Sequence, residues 1–200
     1  SGIIAQVGAL MKSDRPDNPL RNVRIRKMIL AGSSASAAVV VNYLTTSMVE
    51  RLAGMRPIYD GFMPTSNGTN IRRVDVPVVQ VPTMREVFQG AGPTRVDGDA
   101  PGDQFRIYEF AGMAHIDSRD AAAYYPDPCK LPISRFPLAA YMSVALDHLW
   151  RWIDRGTVPP HADRFYVDYN MNKDDSLFAL DAFGNVKGGI RNPYVDVPAA

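Results

Sequence analysis

The chain of 200 residues holds a single cysteine, Cys129, and three histidines, His115, His148 and His161. One cysteine excludes an internal disulfide framework and a cysteine-cluster metal site. No two histidines stand three to five residues apart, which excludes a helical zinc pair. No metal or cofactor is implied. A surplus of charge is also missing, since 22 Lys+Arg face 21 Asp+Glu for a formal net charge of +1. Without a basic excess or stripe, nucleic acid and anionic membrane are not expected partners. Long apolar runs are absent too. The longest has five residues, as in Ala37 to Val41, against about 20 for a membrane-spanning helix. The opening Ser1-Gly2-Ile3-Ile4 lacks the basic segment and apolar core of a signal peptide. What is present is 46% hydrophobic residues, enough to build the core of one globular domain over residues 1–200.

Residues 1–13 read as a helix end with Ile3, Ile4, Val7, Leu10 and Met11 on one face. After a proline-marked connection, Val23 to Ala31 alternates and then turns wholly apolar, which predicts a strand buried in its C-terminal half. The small residues Gly32-Ser33-Ser34-Ala35-Ser36 follow, then a helix from about Ala37 to Leu52. Further strands are expected at Arg56 to Phe62, Val76 to Val81 and Gln104 to Phe110, with Gly90 to Gly102 as a surface loop. Leu138, Tyr141, Met142, Ala145, Leu146, Leu149, Trp150 and Ile153 share one helical face, stopped by Gly156 and Pro159-Pro160. Strands alternating with helices indicate an α/β fold with a mostly parallel sheet and flanking helices. Residues 161–200 are turn-rich and are expected to wrap over the domain.

The segment Gly32 to Ser36 carries the chemistry. A serine on a sharp strand-to-helix turn needs small residues two before and two after it, and Gly32 and Ser36 meet that need. Such a turn raises the Ser34 hydroxyl at the C-terminal edge of the sheet, beside a helix N-terminus whose N–H groups, Ala35 among them, suit a developing oxyanion. Small turns of this kind also serve close packing or phosphate binding. No Gly-Lys-Ser/Thr follows here to favour phosphate.

A serine nucleophile needs a base and an orienting acid, in the chain order Ser, Asp/Glu, His for this type of sheet. His115 follows a predicted strand and so lies at a strand's C-terminal end, where sites form in open α/β sheets. His148 falls within the amphipathic helix and His161 follows two prolines. Two acids compete: Glu86, after the Val76–Val81 strand, and Asp60, at the end of the shorter strand. Glu86 is preferred by its place in the chain, and Asp117 is a third option. The plainer roles are a salt bridge to Arg85 or Arg95 for Glu86 and a turn with Gly61 for Asp60. Cys129, in the proline-braced Tyr125 to Cys129 loop, reads as a small buried or half-buried side chain. Asn67-Gly68-Thr69 fits a glycosylation pattern that carries no argument here.

The runs Ala31 to Ser36, Tyr59 to Phe62, Val76 to Val78, Glu86-Val87 and Tyr108 to Asp117 resemble a family of α/β-hydrolase-domain proteins, mostly bacterial and similar to serine esterases. The resemblance continues through Cys129 to Pro132, Leu149 to Ile153, Gly156 with Pro159-Pro160, and Gly184 to Pro193, so it spans nearly the whole chain in order. It implies Ser34 as nucleophile, His115 as base and Glu86 as acid. Two positions depart from the family: Ala35 stands where Gln is usual, and Met84 where a second acidic residue is frequent. The expected activity is carboxylic ester hydrolysis on a small-molecule ester. The alternatives are acyl transfer by the same residues and a non-catalytic binding or assembly module.

A nucleophile at position 34 comes early for such a sheet. Each βαβ unit takes about 30 residues or more, so upstream strands and a loop with a second oxyanion donor are expected outside this chain. The elbow strand's edge is then expected to be covered by N-terminal polypeptide or by self-association. Met113, Phe62, Met63, Tyr124 and Tyr125 are candidates to line an apolar substrate pocket, against the alternative of plain core. Arg191 is a candidate for a substrate carboxylate or, by preference, a structural salt bridge.

Overall fold

The computed structural model describes residues 2–46, 56–88, 93–119, 134–167 and 177–197. Five strands form one sheet: β1 Ile29–Ser33, β2 Gly61–Thr65, β3 Val78–Gln80, β4 Gly98–Ala100 and β5 Asp103–Ile107, in the order β1-β2-β3-β5-β4. The β1–β2, β2–β3 and β3–β5 pairs are parallel, and β4 closes the far edge as an antiparallel hairpin with β5. The helices are α1 Gly2–Met11, α2 Ala35–Thr46, the single turn α3 Met84–Glu86, α4 Leu138–Arg155 and the short α5 Pro193–Asp196.

The central strands β2 and β3 are buried along their whole length, as strands covered on both faces are. Successive side chains point to opposite faces. Phe62, Val78 and Phe105 join Val40, Tyr43 and Leu44 of α2 on one face, together with Ala5 of α1. Met63, Val79 and Val81 join Ala145 and Leu149 of α4 on the other. The result is a layered α/β arrangement with a mostly parallel sheet.

Several elements depart from their sequence expectation. The first strand starts at Ile29, not Val23, because Val23, Arg24 and Arg26 are exposed outside the sheet. The second lies at Gly61–Thr65, beyond the expected Arg56–Phe62, since Asp60 is already committed to Lys12 Nζ and the Met28 N–H at the strand's entry. The Gly90 to Gly102 segment, expected to be a surface loop, contains β4. Its Gly-Asp-Ala composition hides an edge strand whose Gly98 carbonyl and Asp99 carboxylate are both bound by the buried Arg106. Helix α1 buries Ala5 and Gly8 and leaves Ile3 and Val7 exposed. A Cβ at Gly8 would stand 2.5 Å from Ile58 and 2.7 Å from the Tyr59 ring, so the small residues, not the large ones, face inward. In α4 the buried face is Ala145, Leu149 and Trp152, while Leu146 and Trp150 are exposed. Gly156, left-handed at φ 67°, ends that helix as expected. Helix α2 is described to Thr46, and the expected extension to Leu52 lies outside the described residues, as do Tyr124, Tyr125 and Cys129.

The turn-rich C-terminal stretch packs back on the sheet. Phe165 bridges to Gly188, Leu180 to Val186, and Ile190 pairs in parallel with Phe110. Among the described residues no helix is long and apolar enough to cross a membrane.

Candidate active site

Parallel strands deliver their C-terminal ends to one side of the sheet, and three loops meet there. The first is the turn between β1 and α2. Ser34 occupies it with φ 54°, a left-handed conformation that a residue bearing a Cβ adopts at a cost of about 1–3 kcal/mol. The neighbours hold it there. The Ser34 N–H donates to the Thr65 carbonyl at 3.0 Å, which ties the turn to the end of β2. Ser36 Oγ accepts from the Ser33 N–H at 2.8 Å and donates to the Ser33 carbonyl at 2.8 Å. A serine thus replaces the more usual small glycine and clamps the bend with its own side chain. Gly32 has no such latitude, since a Cβ there would lie 2.6 Å from the Ser36 carbonyl oxygen and 2.9 Å from the Ala37 nitrogen.

The second loop follows β3. Thr83, fully buried, precedes the turn Met84–Glu86, and Glu86 stands three residues after it. The third follows β5 and carries His115. The two loops are stitched together: the Met84 N–H donates to the Met113 carbonyl at 3.1 Å, and the Gly112 N–H approaches the Met84 sulfur at 3.2 Å. The C-terminal segment braces the histidine loop from behind. The Ala111 N–H donates to the Ile190 carbonyl at 3.1 Å, and Asn192 Nδ2 donates to the Ala111 carbonyl at 2.7 Å.

These loops bring three polar side chains into line. Ser34 Oγ lies 2.9 Å from His115 Nε2, and His115 Nδ1 lies 2.6 Å from Glu86 Oε1. With a carboxylate on Nδ1, that nitrogen carries the proton, and Nε2 is left to accept from the serine hydroxyl. Glu86 Oε2 accepts from Thr83 twice, from its N–H at 2.7 Å and its Oγ–H at 2.6 Å. Ser34, His115 and Glu86 are all half-buried. Ala35 is the first residue of α2, where helix geometry leaves N–H groups without intrahelical partners.

The other candidates fall elsewhere. Asp60 stands at the entry of β2, the opposite end of the sheet from Ser34, bound to Lys12 and the Met28 N–H. It is therefore not an acid for His115. The shift of β2 by several residues moves Asp60 from a strand's exit to its entry. Asp117 is buried two residues beyond His115 and bonds Arg119. Arg85 is exposed on the Glu86 turn, and Arg95 pairs with Asp103 and stacks over Phe105. His148 Nδ1 lies 3.1 Å from the Tyr108 hydroxyl, whose burial pushes its pKa up to about 12. His161 bridges Asp97 and Asp99 on the surface. Phe62, Met63 and Met113 are buried in the core clusters on the two faces of the sheet, the plainer of the two readings. Arg191 pairs with Asp196 and the Val186 carbonyl, which is the structural alternative. The Asn67 side chain accepts from the Thr69 N–H within a turn.

Thr83 and Asn192 support the site although no site role was read for them from the sequence, and Ser36, read there as a small residue, adds a clamp. Thr83 had a visible signal, the Thr-x-x-Glu spacing of a reciprocal helix cap. Asn192 had none, because its role depends on a contact 81 residues away. Among the described residues, no group of three or more His, Cys, Asp or Glu side chains is placed to hold a metal ion.

No curated protein and no solved structure matches the chain. A family model described as an alpha/beta hydrolase domain matches residues 1–200. With its mostly parallel sheet and flanking helices, this chain belongs to the alpha/beta hydrolase domain family, a family of hydrolases.

Proposed function

We propose that the protein is a serine hydrolase acting on carboxylic esters, with Ser34 as nucleophile, His115 as general base and acid, and Glu86 as the orienting carboxylate. The observation that carries this reading is the unbroken chain Ser34 Oγ, His115 Nε2, His115 Nδ1 and Glu86 Oε1, with links of 2.9 and 2.6 Å. As Ser34 Oγ bonds to the ester carbonyl carbon, its proton passes to His115 Nε2. The Glu86 carboxylate stays ionised and stabilises the imidazolium. The negative charge gathers on the former carbonyl oxygen, and the Ala35 N–H at the start of α2 is one donor for it. When the carbon–oxygen bond to the alcohol breaks, His115 returns the proton to the departing oxygen. Water, deprotonated by His115, then attacks the acyl-serine. The acid leaves, and Ser34 recovers its proton. An alcohol in place of water would make the same residues an acyltransferase.

A non-catalytic module would have no need to hold a serine in the left-handed region against an imidazole. The reading is tested by hydrolysis of p-nitrophenyl butyrate by the intact protein. Ser34→Ala and His115→Ala each lower kcat/KM by about 1,000-fold or more, with folding retained by circular dichroism. Undiminished hydrolysis by folded Ser34→Ala would sink the proposal.

A further inference from the structure

The mechanism uses one oxygen of Glu86, and the other is held just as closely. Thr83 contributes both donors to Oε2, its N–H at 2.7 Å and its hydroxyl at 2.6 Å. The last torsion of a glutamate side chain is broad, so a carboxylate bound through one oxygen can swivel. Bound through both, it has one orientation. Thr83 is fully buried, so no solvent competes for its hydroxyl. Its main chain is extended at φ −91° and ψ 173°, and its N–H and hydroxyl reach the same acceptor.

We propose that Thr83 is a positioning residue for the reaction: its hydroxyl fixes Glu86 Oε2, so that Oε1 stays aimed at His115 Nδ1. This rests on the catalytic reading of Ser34, His115 and Glu86. Burial alone also requires a hydroxyl to find an acceptor, so the experiment separates positioning from mere satisfaction. Among the described residues, His115 is the one ionisable group within ion-pair distance of Glu86, and Arg85 of the same turn is exposed.

The test compares wild type, Thr83→Val, Thr83→Ser, Glu86→Ala and the double variant Thr83→Val/Glu86→Ala in the intact protein on p-nitrophenyl butyrate. Thr83→Val lowers kcat about tenfold with KM changed less than about twofold, the scale of one hydrogen bond to a charged acceptor. Thr83→Ser restores kcat. In the Glu86→Ala background, Thr83→Val costs almost nothing further. Should Thr83→Val not fold, Thr83→Ser against Thr83→Ala isolates the same hydroxyl. Wild-type kcat in the hydroxyl-free variant, or an equal loss with and without Glu86, would overturn the proposal. Ser34→Ala, run alongside, tells the two failures apart. If it is inactive while Thr83→Val behaves as wild type, Thr83 alone is wrongly assigned. If it is fully active, the catalytic reading fails and the Thr83 role with it.

Discussion

Gly32 sets the tightest limit on the elbow, because the atoms a Cβ would meet there belong to the backbone of Ser36 and Ala37. Backbone does not swing aside as a long side chain does. Gly32→Ala must therefore open the bend and displace Ser34, at a cost of about 1–3 kcal/mol for overpacking. The expected outcome is a melting temperature lower by several degrees, about 2–4 °C per kcal/mol at this size, and loss of most esterase activity. A fully active Gly32→Ala would show that the bend is looser than the structure has it. Ser34 could be read from the sequence because the turn's demand for small residues at two places is local. His115 could be read because histidine is scarce and only one follows a strand directly. Asp60 misled because its meaning depends on where β2 begins. Moving a strand by a few residues carries a side chain from one end of the sheet to the other, and propensity fixes such boundaries poorly.

At the scale of elements, parallel pairing is what assembles the site. The in-register run from Ile29 with Gly61 to Ser33 with Thr65 aligns the exits of β1 and β2. The bonds from Ser34 to Thr65 and from Ser66 to Val81 extend that alignment beyond the strands. The apolar pattern of α4 announced a helix clearly but not its rotation. Leu146 and Trp150 look inward by periodicity, yet with Ile29 they line an open groove beside β1. Among the described residues β1 has one neighbour, β2, and its Ile29 and Leu30 are only half-buried. An apolar edge strand next to an apolar groove is a liability in water. We propose that further polypeptide, from the same protein or a second copy, covers it. Hydrogen exchange on the intact protein should find the β1 amides that face away from β2 protected, and a dependence on protein concentration would identify a second copy. Exchange of those amides as fast as in an exposed loop would contradict this.

At the scale of the whole molecule, the C-terminal stretch changes from apparent wrapping to support. Ile190 pairs with Phe110, and Asn192 holds the Ala111 carbonyl while capping α5 through the Tyr194 N–H. The loop of His115 is thereby fixed from behind by residues about 80 positions later. The layered fold was legible because strands and helices alternate. The bracing was not, because it consists of isolated contacts without periodicity. The account as a whole stands on a serine activated by its imidazole, and covalent labelling tests that most directly. The intact protein, treated with a fluorophosphonate at neutral pH and digested, should carry the adduct on the peptide containing Ser34. The labelling rate should fall at least about 100-fold in His115→Ala. An active protein that takes no label at Ser34, or takes it as fast without His115, would contradict the account.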